Sequence, residues 1–72
     1  MNDKVIIAKA SDATAERLYR FVKKINDNTS IKAYPNFDNE AVFFPVDKYD
    51  MNFIKDALSE KGFEVKIENA IK

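Results

Sequence analysis

The chain has 72 residues, with no cysteine, no histidine, and twelve lysines and arginines against twelve acids. That length holds one domain at most, here taken as residues 1–72, and a core so small gains from a partner. Disulfides, Cys/His metal sites and a histidine general base are excluded, and zero net charge gives no global pull toward nucleic acid or an anionic membrane.

The first predicted element is "KVIIAKA" (Lys4–Ala10), a short β-branched run that reads as a buried strand. The preceding residues lack the basic lead of a signal peptide, and no apolar run approaches a membrane span, so the expected compartment is the cytoplasm. "SDATAERLYRFVKKINDN" then reads as a helix, with Ser11 or Asp12 as the expected cap. Ala15, Leu18, Val22 and Ile25 recur at helical spacing beside Phe21 and form one apolar stripe. Arg17, Arg20, Lys23 and Lys24 lie away from it, and Glu16–Arg20 and Lys23–Asp27 are spaced as i,i+4 ion pairs.

The stretch "KAYPNFDNEAVFFPV" (Lys32–Val46) holds four of the nine aromatic residues. Asp38-Asn39 divides it, and both residue types tolerate positive φ, so a two-residue hairpin turn is expected. A regular ladder from that turn pairs Phe37 with Glu40, Tyr34 with Phe43, Ala33 with Phe44 and Ile31 with Val46. One face then carries Ile31, Ala33, Val42, Phe44 and Val46, and the other carries Lys32, Tyr34 and Phe43. Phe37 is expected near the tip, on the core side.

"DKYDMNFIKDALSEKG" is the second predicted helix. Asp47 or Asp50 can cap it, Ile54, Ala57 and Leu58 form its stripe, and Met51 or Phe53 stands at the margin. Gly62, the only glycine, sits where a helix needs a left-handed residue to stop, and Phe63 follows where a contact back onto the last turn is expected. "FEVKIEN" alternates, with Phe63, Val65 and Ile67 facing one way and Glu64, Lys66 and Glu68 the other.

The order β-α-β-β-α-β resembles the ferredoxin-like, split-βαβ arrangement. The resemblance implies an α+β fold: a four-stranded antiparallel sheet of order 4-1-3-2 with both helices on one face. Pro35 then lies on an edge strand, and Pro45 must end the third strand.

On this reading Phe44 enters the core, while Tyr34 and Phe43 stand on a sheet face that no helix covers. The first strand adds either Ile6 and Ala8 or Val5 and Ile7, and Lys32 and the Glu64-Lys66-Glu68 side form the rim. The plainest account is a cross-strand aromatic pair. The functional account is a non-enzymatic binding protein acting through protein contacts of that face, toward a different protein or a second copy as a homodimer. A viral-type inhibitor or regulator of a larger host complex is one form such a domain takes. The residues expected to carry the contact are Tyr34, Phe43, Ile6 and Lys32.

Acids concentrate in residues 35–60, six of them against Lys48 and Lys55. Solvated faces explain this run; an acidic edge toward a basic partner is the sharper account, with Asp38, Glu40 and Asp50 as its candidates. Domains similar in strand order, the RNA-recognition motifs, stack bases on aromatics of the first and third strands, which makes a single-stranded nucleic-acid binder the alternative. Here the first strand has no aromatic, the third lacks the basic, glycine-rich start of that motif, and Glu64 and Glu68 repel phosphate. Catalysis is not expected. Asp47 and Asp50 are explained by capping, "KASDAT" lacks the glycines of a phosphate loop, and the arginine that small acyl-phosphate hydrolases place there is replaced by Lys9. No metal and no cofactor are expected.

Overall fold

The computed structural model describes residues 4–69. Strand β1 (Lys4–Lys9) leads to helix α1 (Ala15–Asn28), the hairpin strands β2 (Lys32–Pro35) and β3 (Glu40–Phe44), helix α2 (Lys48–Glu60) and strand β4 (Glu64–Asn69). The strands form one sheet of order β2-β3-β1-β4, every pairing antiparallel. This is the expected ferredoxin-like order, read from the opposite edge.

Both helices pack on one face. Leu18, Phe21, Val22 and Ile25 of α1 and Ile54 and Leu58 of α2 join Ile6, Ala8, Ala33, Ala41 and Phe43 of the sheet in a single core. α1 lies against β2 and β3, and α2 against β4 and β1. Three alanines in that face leave room for the helices, and Phe43 is fully buried beneath α1. Its ring meets Phe21 at 5.7 Å between centroids, tilted by 48°, a geometry suited to two aromatic quadrupoles.

Local chemistry explains the ends of α2. The Asp47 side chain accepts from the Asp50 backbone N–H at 2.9 Å, which caps the first turn, and the Asp50 carboxylate reaches back to accept from the Val46 N–H at 3.2 Å. At the other end Gly62 has φ +87°. Its N–H donates to Ser59 O at 3.0 Å and the Phe63 N–H to Leu58 O at 3.1 Å, which is the Schellman closure. Phe63 is then buried, as expected.

α1 begins later than the sequence suggests. Its cap position is Thr14, whose side chain makes no capping bond. Ser11 instead folds onto Thr14, its N–H donating to Thr14 Oγ1 at 3.1 Å while Thr14 N–H donates to Ser11 O at 3.1 Å. Asp12 is diverted to the hairpin, where it accepts from Asn39 Nδ2 at 2.7 Å.

The turn at Asp38-Asn39 forms as expected, with φ of 61° and 62° and the Glu40 N–H donating to Phe37 O at 3.2 Å. The ladder beyond it does not follow. The Asn36 N–H also donates to Glu40 O, at 2.7 Å, so Asn36 and Phe37 together oppose Glu40. This is a β-bulge, and it offsets the two strands by one residue. The observed pairs are Lys32–Phe44, Ala33–Phe43, Tyr34–Val42 and Pro35–Ala41. A one-residue slip sends each side chain of β3 to the opposite face. Tertiary bonds hold the bulge in place: Tyr19 Oη donates to Asn36 O at 3.4 Å, Ala10 N–H to Asn39 O at 2.9 Å and Lys9 Nζ to Asp38 O at 3.0 Å.

The prolines fit. β3 ends at Phe44, before Pro45. Pro35 lies on edge strand β2, where its missing N–H leaves no gap in the ladder. The outer edge of β2 is further closed by Asn26 of α1. Its amide accepts from the Ala33 N–H at 2.9 Å and donates to Ala33 O at 2.7 Å, which occupies the groups a foreign strand would need.

Candidate functional site

The bulge redistributes the expected contact residues. Phe43 is fully buried under the helices, at 0% exposure, and Phe44 emerges instead, at 39%. The expectation of Phe43 on the open face is therefore corrected, because the extra residue at Asn36–Phe37 inverts the parity of β3. β2 keeps its expected parity: Ile31 and Ala33 face in, and Lys32 and Tyr34 face out, Tyr34 being 53% exposed. Tyr34 thus keeps an aromatic partner, although a different one. Its ring meets Phe44 edge to face, 5.8 Å between centroids and 73° between planes. The two occupy diagonal positions of the β2–β3 ladder, within reach of aromatic side chains.

Ile6 is likewise corrected. It pairs with Phe43 and is fully buried, so β1 contributes Val5 and Ile7 to the open face. Phe37 is not on the core side but projects from the bulge with 84% of its surface exposed. Asp38 is exposed at the hairpin tip, with its carbonyl accepting from Lys9. Asp50 is engaged in the α2 cap, which accounts for its position without a ligand.

The open face can be read in rows across the strands. The central row is Tyr34, Val42, Ile7 and Lys66. On one side of it Lys32 pairs with Phe44 and Val5 with Glu68. On the other lie Glu40, Lys9 and Glu64. The face therefore has an apolar and aromatic centre rimmed by Lys9, Lys32 and Lys66 and by Glu40, Glu64 and Glu68, with no net charge. Lys9 Nζ stands 3.9 Å from Glu40 Oε2, and Lys66 Nζ 3.7 Å from Glu68 Oε2. Such exposed pairs contribute little to stability. A shallow depression lined by Ile7, Lys9, Glu40, Glu64, Val65 and Lys66 adjoins the centre.

Two other surfaces stand out. Arg17, Arg20 and Lys24 of α1 and Lys61 after α2 surround Phe21, with Lys61 Nζ 5.3 Å from the ring centroid. Arg20 also pairs with Glu16 at 3.2 Å and Lys23 with Asp27 at 3.0 Å, the two ion pairs anticipated from spacing. On α2, Tyr49 and Phe53 are exposed one turn apart, and Val46 is exposed just before the helix.

Among the described residues, no polar or charged side chain is buried, and no group of three or more His, Cys, Asp or Glu is placed to hold a metal ion. The N–H groups of Ser11 and Thr14 are used within their own turn. Among the same residues no helix is long and apolar enough to cross a membrane.

Sequence reasoning missed Phe44 and Asn26, and of its two alternatives for β1 the structure takes Val5 and Ile7. A bulge leaves no composition signal, since Asn36 and Phe37 suit a turn and a strand equally. Against known proteins the chain stands apart: no family model matches it, and no curated protein or solved structure matches it either.

Proposed function

We propose that this is a small non-enzymatic binding protein that acts in the cytoplasm through protein contacts of its open sheet face. The observation that carries the reading is the Tyr34–Phe44 pair, edge to face and exposed, continuous with Val42 and Ile7 and ringed by charges. An apolar centre with a polar rim is the usual anatomy of a protein interface, and tyrosine and phenylalanine are enriched there because they cover large area with few rotatable bonds. Inhibition or regulation of a larger complex is the activity proposed.

Single-stranded nucleic acid is the rival occupant, because Phe44 stands on the open face of β3. Against it, Glu40, Glu64 and Glu68 share that face, and β1 supplies only aliphatic side chains.

A photo-crosslinking side chain in place of Tyr34 tests the reading in the cells that make the protein, with Asn52 on the exposed side of α2 as the comparison position. The expected result is a protein adduct from position 34, to another protein or to a second copy, that Phe44→Asp abolishes. Adducts from position 52 alone would move the function to the helices. Tight, salt-sensitive binding of short oligonucleotides that Phe44→Ala abolishes would replace the reading with the nucleic-acid one.

A further inference from the structure

We infer that the occupant of the open face is a second copy of this chain, related by a two-fold axis parallel to the strands. The inference rests on the protein-contact reading above and deepens it by naming the partner. Its basis is the order of charges across the sheet. The Phe44 row runs Lys32, Phe44, Val5, Glu68 from edge β2 to edge β4, with the Ile6–Phe43 pairing carried one residue further to place Val5 beside Phe44. A two-fold axis along the strands lays β2 over β4 of the second copy and β3 over its β1.

The Phe44 and Val42 rows are then self-complementary, as is the Glu40–Lys9 pair of the third, while Glu64 falls at the rim over the second copy's Asn36–Phe37 bulge. Lys32 meets Glu68 of the second copy, and Glu68 meets its Lys32. Phe44 covers Val5, which is already buried in the single chain, and Val42 covers Ile7. Tyr34 receives Lys66 over its ring, a cation–π arrangement, and Lys9 meets Glu40. Sheets packed face to face hold their strands within about 30° of each other, so these near-axis rows stay in register within the reach of lysine and glutamate side chains.

The other face-to-face two-fold axis, perpendicular to the strands, fares worse on the same residues. It sets Glu68 over Glu64 of the second copy, Phe44 over Glu40 and Val5 over Lys9. Like charges and more unmatched single charges disfavour that arrangement, so the charge order favours the first dimer over the second.

The size of the face sets the strength. Four strands about 4.8 Å apart, each about five residues long at about 3.4 Å, span roughly 300 Å² in projection. A standard interface buries about 800 Å² per partner. The dimer is therefore of the weak class.

Sedimentation equilibrium on the full chain, from about 10 μM to about 1 mM, reads this directly. Wild type is expected to dimerise. Lys32→Glu and Glu68→Lys, both at exposed positions and both checked for folding by circular dichroism, are each expected to weaken the dimer about tenfold or more. An equimolar mixture of the two variants is expected to recover it, because each opposed pair in the mixed dimer again joins one lysine and one glutamate. A monomer throughout the range overturns the inference. So does a dimer indifferent to both substitutions, or a mixture no tighter than its components; either places the contact elsewhere, such as the Tyr49–Phe53 side of α2 or the outer edge of β4. The broader reading fails separately. A monomeric chain whose position 34 still crosslinks a different protein, with loss on Phe44→Asp, sinks the dimer alone. A monomer with no adduct from that position sinks both.

Discussion

The two faces of β3 carry nearly the same chemistry and face opposite tasks. Ala41 and Phe43 point under the helices; Val42 and Phe44 point away from them. On the inner side one ring is closed in by Ile6, Phe21 and small alanines, so each of its carbons has a packed neighbour. On the outer side the adjacent ring meets Tyr34 across the ladder and keeps 39% of its surface exposed. Two neighbouring phenylalanines therefore separate stability from recognition, and the Asn36–Phe37 bulge decides which does which.

The sharpest way to break this contrast is Phe43→Ala. Loss of a buried aromatic costs about 3–5 kcal/mol, and a core of this size rarely supplies more than that. Urea titration followed by circular dichroism should show a chain largely unfolded without denaturant. Next in size is Asn26→Ala, which frees the edge N–H and C=O of Ala33 and should lower stability by about 1–2 kcal/mol in the same titration. Gly62→Ala should follow at about 1 kcal/mol. An added Cβ would meet nothing within 4 Å, so the cost comes from the left-handed backbone alone, and Gly62→Asn should lose less. The smallest stability effect belongs to Phe44→Ala, about 0.5–1 kcal/mol, most of it the Tyr34–Phe44 coupling that a double-mutant cycle reads. That substitution should nonetheless have the largest effect on whatever the open face binds. If Phe44→Ala unfolds the chain and Phe43→Ala does not, the assignment of the two rings is reversed.

The α2–β4 connection and the β2–β3 hairpin differ in how far they could be foreseen. Around Gly62 every determinant is local: a helix end, a residue free to take positive φ, and a phenylalanine directly after it. The hairpin turn was local too, and Asp38-Asn39 adopts the conformation its residue types favour. The register was not. Both a regular ladder and a bulged one satisfy that turn, and the choice rests on distant groups: Tyr19 on α1, Ala10 after β1, and the Phe43 ring seeking the space beside Phe21. The candidate site was accordingly half legible. Tyr34, Lys32 and the Glu64-Lys66-Glu68 rim lie where alternation puts them, Phe44 and Ile7 replace Phe43 and Ile6, and Asp50 belongs to a helix cap.

Hydrophobic period, capping residues and turn formers by themselves determine the six elements, their order, the helix ends around Asp47 and Gly62, and hence the ferredoxin-like sheet, because each depends on neighbours within a few positions along the chain. Which face of β3 turns inward is settled only once helices and sheet pack together. A one-residue offset changes no local preference, but it exchanges which phenylalanine enters the core beside Phe21, and only the assembled core distinguishes the two.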